Sequence, residues 1–316
     1  MLSAAELGIV QTCADVVSIL SVMGSAAILL AYLRYTSLRK FSFTLVAFLS
    51  VSDLFNHLFD MVGPKAEELE AQRLGAPISD ACWVQAFGNA VFELSSILWT
   101  GAIALTLYEA VWLGWRAERI EAQFYRLAGV CFCVPVFLFV LPLLVTGPSV
   151  IGPSGGSWCW IRPQFGGWIF GLFYVPLWLV MIFNGVVHFR TSRRLTALIE
   201  GKGGVATDPV MASRLLLVLQ RLKFYPFILF VVWFPASVSR VVEAANGGRS
   251  IFGLVLFHRI FSSSQGFLNA IAYGLSRGVR EAIVADLARI FPCCCATRHI
   301  ELSSVELAEV APAPST

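Results

Sequence analysis

Seven apolar runs of about 20 residues dominate this chain, each long enough to cross ~30 Å of hydrocarbon at ~1.5 Å per helical residue. They are Ile9–Leu33, Ser42–Val62, Cys82–Trp112, Leu127–Thr146, Phe165–Phe189, Leu222–Glu243 and Ile251–Leu275. The fold class that follows is an all-α membrane protein, a seven-transmembrane helix bundle. Composition agrees: 57% of residues are hydrophobic and 14% charged, too little polar surface for a soluble protein of 316 residues. The seventh run is the weakest, because it carries His258, Arg259, three serines, Gln265 and Asn269.

The basic residues set the orientation. Of the 23 Lys and Arg, only Lys65, Arg73, Arg162 and Arg249 lie in connections on one side, and Arg240 and Arg259 lie well within spans; Lys223, at the inner edge of the sixth run, is counted with the loop before it. The rest follow the first, third, fifth and seventh runs. The positive-inside rule then puts the N-terminus outside and the tail in the cytoplasm, which requires an odd number of spans and supports the seventh. No cleavable signal peptide, N-x-S/T sequon, repeat or second soluble domain is evident. The expected organisation is a short extracellular segment over 1–8, the membrane domain over 9–275, an amphipathic cytoplasmic helix over 276–292 and a tail over 293–316.

With that orientation, Cys82 begins the third span on the outside and Cys159 sits in the second outer loop, between Trp158 and Trp160. Both lie in oxidising, solvent-accessible territory. A disulfide between them would tie the loop to the top of the third span; Cys13 as a partner, or two free thiols, are the alternatives. The bridge would draw the two tryptophans inward, either as interfacial anchors or as a lid over a cavity.

Several stretches resemble the cyclic-AMP-receptor-like family of G-protein-coupled receptors, which includes slime-mould chemoattractant receptors and plant and animal relatives. They are LRKFSFTLVAFLSVSDL (Leu38–Leu54), SSILWTGAIALTLY (Ser95–Tyr108), SWCWI (Ser157–Ile161), YVPLWLVMIFN (Tyr174–Asn184), RLKFYPFILFVVW (Arg221–Trp233) and SQGFLNAIAYG (Ser264–Gly274). The resemblance runs from about Asp15 to about Ala282 and looks nearest the plant-like branch. There are departures from the wider receptor superfamily. The third span ends in Tyr108-Glu109-Ala110 without an arginine, and no proline follows Asn269; Glu93 departs from the nearer relatives, in which a small or neutral residue is expected. The resemblance implies a cell-surface receptor with a small-molecule ligand, a heterotrimeric G protein and membrane lipids as partners. It implies no nucleic acid and no cofactor.

Ionisable groups within a bilayer are costly and mark functional positions by default. Asp53 in the second span and Asn269 in the seventh are expected to approach through water or an ion, forming a polar switch with Tyr273, Trp233 and Pro235. Pro235 removes a backbone donor and kinks the sixth span between the outer cavity and the cytoplasmic side. Static packing is the alternative for each. In the outer half, Arg240, Arg259, Arg162, His258, Glu93, Trp158 and Trp160 are the candidate ligand contacts. Arginine's planar fork suits phosphate or carboxylate, so an anionic, cyclic-nucleotide-like ligand is expected. By helical rise Arg259 lies ~12 Å and Glu93 ~16 Å below the surface, so the two are also candidates for a structural ion pair. Glu243, one turn from Arg240, is placed to screen it.

On the cytoplasmic side, the loop from Arg190 to about Arg221 is basic at both ends and Gly-rich at 201–204, suited to a G protein or to anionic lipid. In SRGVREAIVADLARIF, Val279, Ile283, Leu287 and Ile290 share one helical face, as in an interfacial helix. Cys293, Cys294 and Cys295 beside it are candidates for S-palmitoylation. An enzyme is disfavoured, because His57, His188 and His258 lie at depths that cannot meet around one metal ion. The seventh span has no lysine for a retinal Schiff base. A seven-helix transporter or channel for a small polar solute is the remaining alternative, although no inverted repeat is visible.

Overall fold

A computed structural model describes residues 2–114, 116–155, 157–199, 224–274, 279–280 and 286. Six of its helices are long and apolar enough to cross a bilayer. These are α1 (Ala4–Arg34), α2 (Phe41–Met61), α3 (Asp80–Trp112), α4 (Phe124–Thr146), α5 (Pro163–Arg194) and α6 (Phe224–Ala245). The seventh span is broken into α7 (Phe252–Ser263) and α8 (Gln265–Gly274), which in series supply about 22 residues, or ~33 Å of helix. Its low hydropathy comes from the polar residues gathered there.

Local sequence explains the ends. The helix α1 starts five residues earlier than its apolar run, because Ser3 and Glu6 form a capping box: the Ser3 hydroxyl accepts from the Glu6 N–H, and Glu6 Oε2 accepts from the Ser3 N–H at 2.8 Å. Most of the segment expected to be a free N-terminus is therefore helical. Ser79 caps α3 by accepting from Cys82 N–H. Gly147, at φ +87°, ends α4 in a conformation that other residues rarely adopt. The helices α3 and α5 each contain a π-helical turn, Asn89–Glu93 and Phe170–Tyr174, both in the half of the bundle that carries the loop after α4.

In the packing, α1 lies against α2, α7 and α8, α2 against α3, α3 against α4 and α5, and α6 against α7. The α1–α8 approach is close enough that a Cβ on Gly24 would stand 2.8 Å from the Ala270 Cβ, and one on Gly266 would stand 2.9 Å from the Ser21 carbonyl. Small residues are what allow two membrane helices to meet at such a distance. The loop after α4 is not wholly irregular: β1 (Ile151–Pro153) and β2 (Cys159–Ile161) form an antiparallel hairpin with Gly152 opposite Trp160. A short helix, Ala66–Arg73, covers the same end. The Gly-rich segment at 201–204, the cysteines Cys293–Cys295, the Tyr273 side chain and most of the expected amphipathic helix lie outside the described residues. Of that helix, Val279 is buried, and Asp286 accepts from Arg34 at 3.3 Å.

Candidate functional site

The hairpin folds into the bundle, not over its rim. Cys159 is disulfide-bonded to Cys82 at the start of α3, with Cα atoms 5.2 Å apart. The Cys159 N–H donates to Gln85 Oε1, one turn further along α3, at 2.7 Å. Two anchors on one helix thus fix the strand that carries both tryptophans, and Trp158 and Trp160 are only 5% and 6% exposed.

Trp158 sits between two arginines. The Arg240 guanidinium carbon lies 5.0 Å from its ring centroid and that of Arg259 lies 4.8 Å away, while His258 meets it edge-on at 5.1 Å. Cation–π attraction is strengthened by burial, so the stack holds the hairpin and both cations together. Each arginine also has a carboxylate. Arg240 pairs with Glu243 at 2.5 Å and donates to Ser154 Oγ at 2.9 Å, which ties α6 to the hairpin. Ser250 bridges Glu243 and the Gly155 carbonyl.

Arg259 pairs with Asp60 of α2 at 2.6 Å, not with Glu93. Asp60 also accepts from Gln85 Nε2 and Asn89 Nδ2, both at 3.2 Å, and these α3 donors offset the cost of burying the carboxylate. Glu93 is half-buried and makes no hydrogen bond to Arg259, whose carboxylate partner is Asp60. Around the Arg259–Asp60 pair, His57 Nε2, Asn89 Oδ1, His258 Nδ1 and the Nε of Arg259 and Arg240 are buried without a hydrogen-bond partner among the described residues. Buried polar atoms are nearly always paired, so this cluster can take up hydrogen bonds from water or a polar ligand. Arg162 lies apart. It donates to the Ile151 carbonyl at 3.0 Å and lines a separate recess of about 280 Å³ with Arg73, Gln72 and Ser154.

Deeper in the bundle, Asp53 collects three helices directly. It accepts from Ser96 of α3 at 2.5 Å, Gln265 of α8 at 3.2 Å and Asn269 of α8 at 2.8 Å. The Asp53–Asn269 contact is direct, so no bridging water or ion is needed to join them. Gln265 Oε1 accepts from Trp233 Nε1 of α6 at 2.8 Å. Trp233 packs on Phe173, and Phe173 on Trp160, at 5.1 Å and 5.3 Å between centroids. A continuous contact path therefore runs from the hairpin to the polar network. Pro235 sits two residues beyond Trp233, half-buried within α6.

The slime mold cyclic AMP receptor family model matches residues 3–292. The chain belongs to that family. Among curated relatives, G-protein coupled receptor 1 of Arabidopsis thaliana is 30% identical over 299 residues, 92% of this chain and 85% of its own length. Cyclic AMP receptor 4 of Dictyostelium discoideum is 24% identical over 80% of this chain and 54% of its own length. G-protein coupled receptor 157 of Homo sapiens is 27% identical over 83% of this chain and 79% of its own length. Membership makes the bundle a multi-pass, seven-transmembrane membrane protein of the G-protein-coupled receptor type. The names in the family are those of receptors, not enzymes.

Within this receptor fold, the sequence reading missed Asp60, Gln85, Gln265 and Ser21. Asp60 was detectable: an acid two turns after Asp53 falls on nearly the same face of α2. Gln265 carried a weaker signal, a primary amide directly after a serine run in a membrane span. Ser21 carried none, because its role depends on another helix.

Proposed function

We propose that this chain is a cell-surface receptor with its N-terminus and hairpin lid outside. It binds a small anionic or strongly polar ligand beneath Trp158 and signals to a heterotrimeric G protein at the opposite, basic face. The observation that carries the reading is the clamping of Trp158 between Arg240 and Arg259. Each of those guanidiniums retains an unengaged, buried Nε–H. A ligand oxygen reaching these donors competes with Glu243 and Asp60 for the same cations. Loosening Arg259 from Asp60 also alters Gln85, which holds both Asp60 and the Cys159 backbone. Lid, α2, α3 and α7 therefore respond together. The Trp160–Phe173–Trp233–Gln265 path gives that response a route to Asp53 and Asn269, a network whose rearrangement can bias two helix packings. The naming of several relatives as cyclic AMP receptors supports a cyclic nucleotide as the first ligand to try.

The test uses purified, lipid-reconstituted protein with 3′,5′-cyclic AMP and a panel of other anionic nucleotides. A ligand that binds only the folded state stabilises it by about 2.7 kcal/mol at a hundredfold excess over Kd. A thermal shift that Arg240→Gln and Arg259→Gln abolish, together with ligand-dependent nucleotide exchange on a G protein, supports the reading. No shift with any anion, with solute flux through proteoliposomes, points to a transporter.

A further inference from the structure

The end of the bundle opposite the hairpin, which the proposed function places in the cytoplasm beside the G protein, carries a groove on its outer side between α3 and α5. It has a volume of about 820 Å³ and is lined by Trp112, Gly185, Val186, Phe189, Arg190, Arg193 and Arg194. Its chemistry is graded along one stripe of α5. The deeper members are apolar: Val186 is 45% exposed and Phe189 59%, and the space above Gly185 is open, with no atom within 4 Å of a Cβ built there. The members nearer the helix end are cationic. The apolar and basic ends, Val186 and Arg194, lie eight residues apart, or ~12 Å along the axis.

The cations are held in place. The Arg193 guanidinium lies 5.0 Å from the Phe189 ring centroid, and that of Arg194 lies 4.7 Å from the Trp112 centroid. Stacking on a ring leaves a guanidinium's edge donors free for an anion while restricting its rotamers. Among the described residues, no carboxylate pairs with Arg190, Arg193 or Arg194.

We propose that this groove is a binding site for one anionic phospholipid of the cytoplasmic leaflet, its phosphate and headgroup on Arg190, Arg193 and Arg194 and an acyl chain in the trough over Gly185 and Val186. The order of the lining residues is that of such an amphiphile. Apolar contact at hydrocarbon depth gives way to positive charge at the interface, where the cytoplasmic leaflet concentrates anionic lipid. A soluble partner could meet the arginines but not the Gly185–Val186 floor, which lies inside the span.

The experiment is native mass spectrometry of the full-length, detergent-purified protein titrated with phosphatidylserine, phosphatidylcholine or soluble glycerophosphoserine. The expected result is saturable retention of one phosphatidylserine in preference to phosphatidylcholine, with glycerophosphoserine bound far more weakly. The triple variant Arg190→Gln, Arg193→Gln, Arg194→Gln weakens phosphatidylserine retention by on the order of 100-fold, from about fivefold per charge near the membrane surface. Gly185→Leu keeps every charge and fills the trough. It meets open space, so its melting temperature stays that of the wild type while retention falls by at least about tenfold. Equal retention of the two lipids overturns the proposal. So does unchanged retention in Gly185→Leu, which reduces the arginines to a diffuse surface charge, and so does binding of glycerophosphoserine as tight as that of the lipid.

Discussion

Replacing Ser21 by alanine tests how the seventh span is broken. Ser21 of α1 donates to the Ser263 carbonyl at 2.5 Å, and its oxygen accepts from the Phe267 N–H at 3.1 Å. Those two backbone groups would bond each other in an uninterrupted α-helix. A hydroxyl from a neighbouring helix thus stands in the ladder, a recognised cause of a helix kink, and no proline is needed for it. Ser21→Ala leaves a buried N–H and a buried carbonyl without that partner. At about 1–3 kcal/mol for each orphaned group, the loss is about 2–6 kcal/mol unless the span closes up. Closing requires Phe267 N and Ser263 O to approach to ~2.9 Å. That approach shifts the register of Gln265 and Asn269 against Asp53. The assay is thermal unfolding in detergent, read beside Ser18→Ala. Ser18 is also fully buried on α1, but its hydroxyl has no partner among the described residues, so its removal should be neutral or stabilising. Equal melting temperatures for the two variants with unchanged basal signalling would refute the bridging role. An unchanged melting temperature for Ser21→Ala with altered basal signalling would mean that the span has closed.

Asp60→Asn should destabilise the receptor by about 3–5 kcal/mol, because it leaves Arg259 buried without its carboxylate; Asp60→Asn with Arg259→Gln should recover most of the loss in the same thermal assay. A charge swap between Glu93 and Arg259 should restore nothing. Mass mapping of unreduced protein should recover Cys82 and Cys159 in linked peptides; a double serine variant should lose up to about 4.5 kcal/mol, the chain-entropy limit for a 77-residue separation. Pro235→Ala should impair nucleotide exchange more than ligand affinity, and a fall in affinity with coupling per bound receptor unchanged would sink the hinge argument. Acyl-exchange labelling should fall when Cys293, Cys294 and Cys295 are all changed to serine, whereas equal labelling would place any lipid elsewhere.

The sequence alone determined the features that depend on local chain properties. Span length follows from the run of apolar residues, and sidedness is expected from where the arginines fall. The capping of α1 was open to the same reading, since Ser3 and Glu6 stand three residues apart. Sidedness separated Cys82 and Cys159 from the cytoplasmic cysteines without coordinates but left Cys13 open as a partner, and the tertiary structure pairs Cys82 with Cys159. Depth was also legible, because helical rise converts position into distance: it put Arg259 in reach of Glu93 and Asp53 in the core. What depth cannot supply is azimuth. Arg259 selected Asp60, 199 residues away, because α2 and α7 turn those side chains toward each other while α3 supplies Gln85 and Asn89 to the same carboxylate. Trp158 read as a residue for a half-wet interface. Only the packed bundle shows that two guanidiniums replace the water. The break in the seventh span is the clearest case. Hydropathy registers a weak helix there, but the hydroxyl inserted between Ser263 and Phe267 belongs to α1 and exists only once the helices are side by side. Periodicity reports what each helix buries; the partners of its buried polar atoms are chosen by the neighbours it meets.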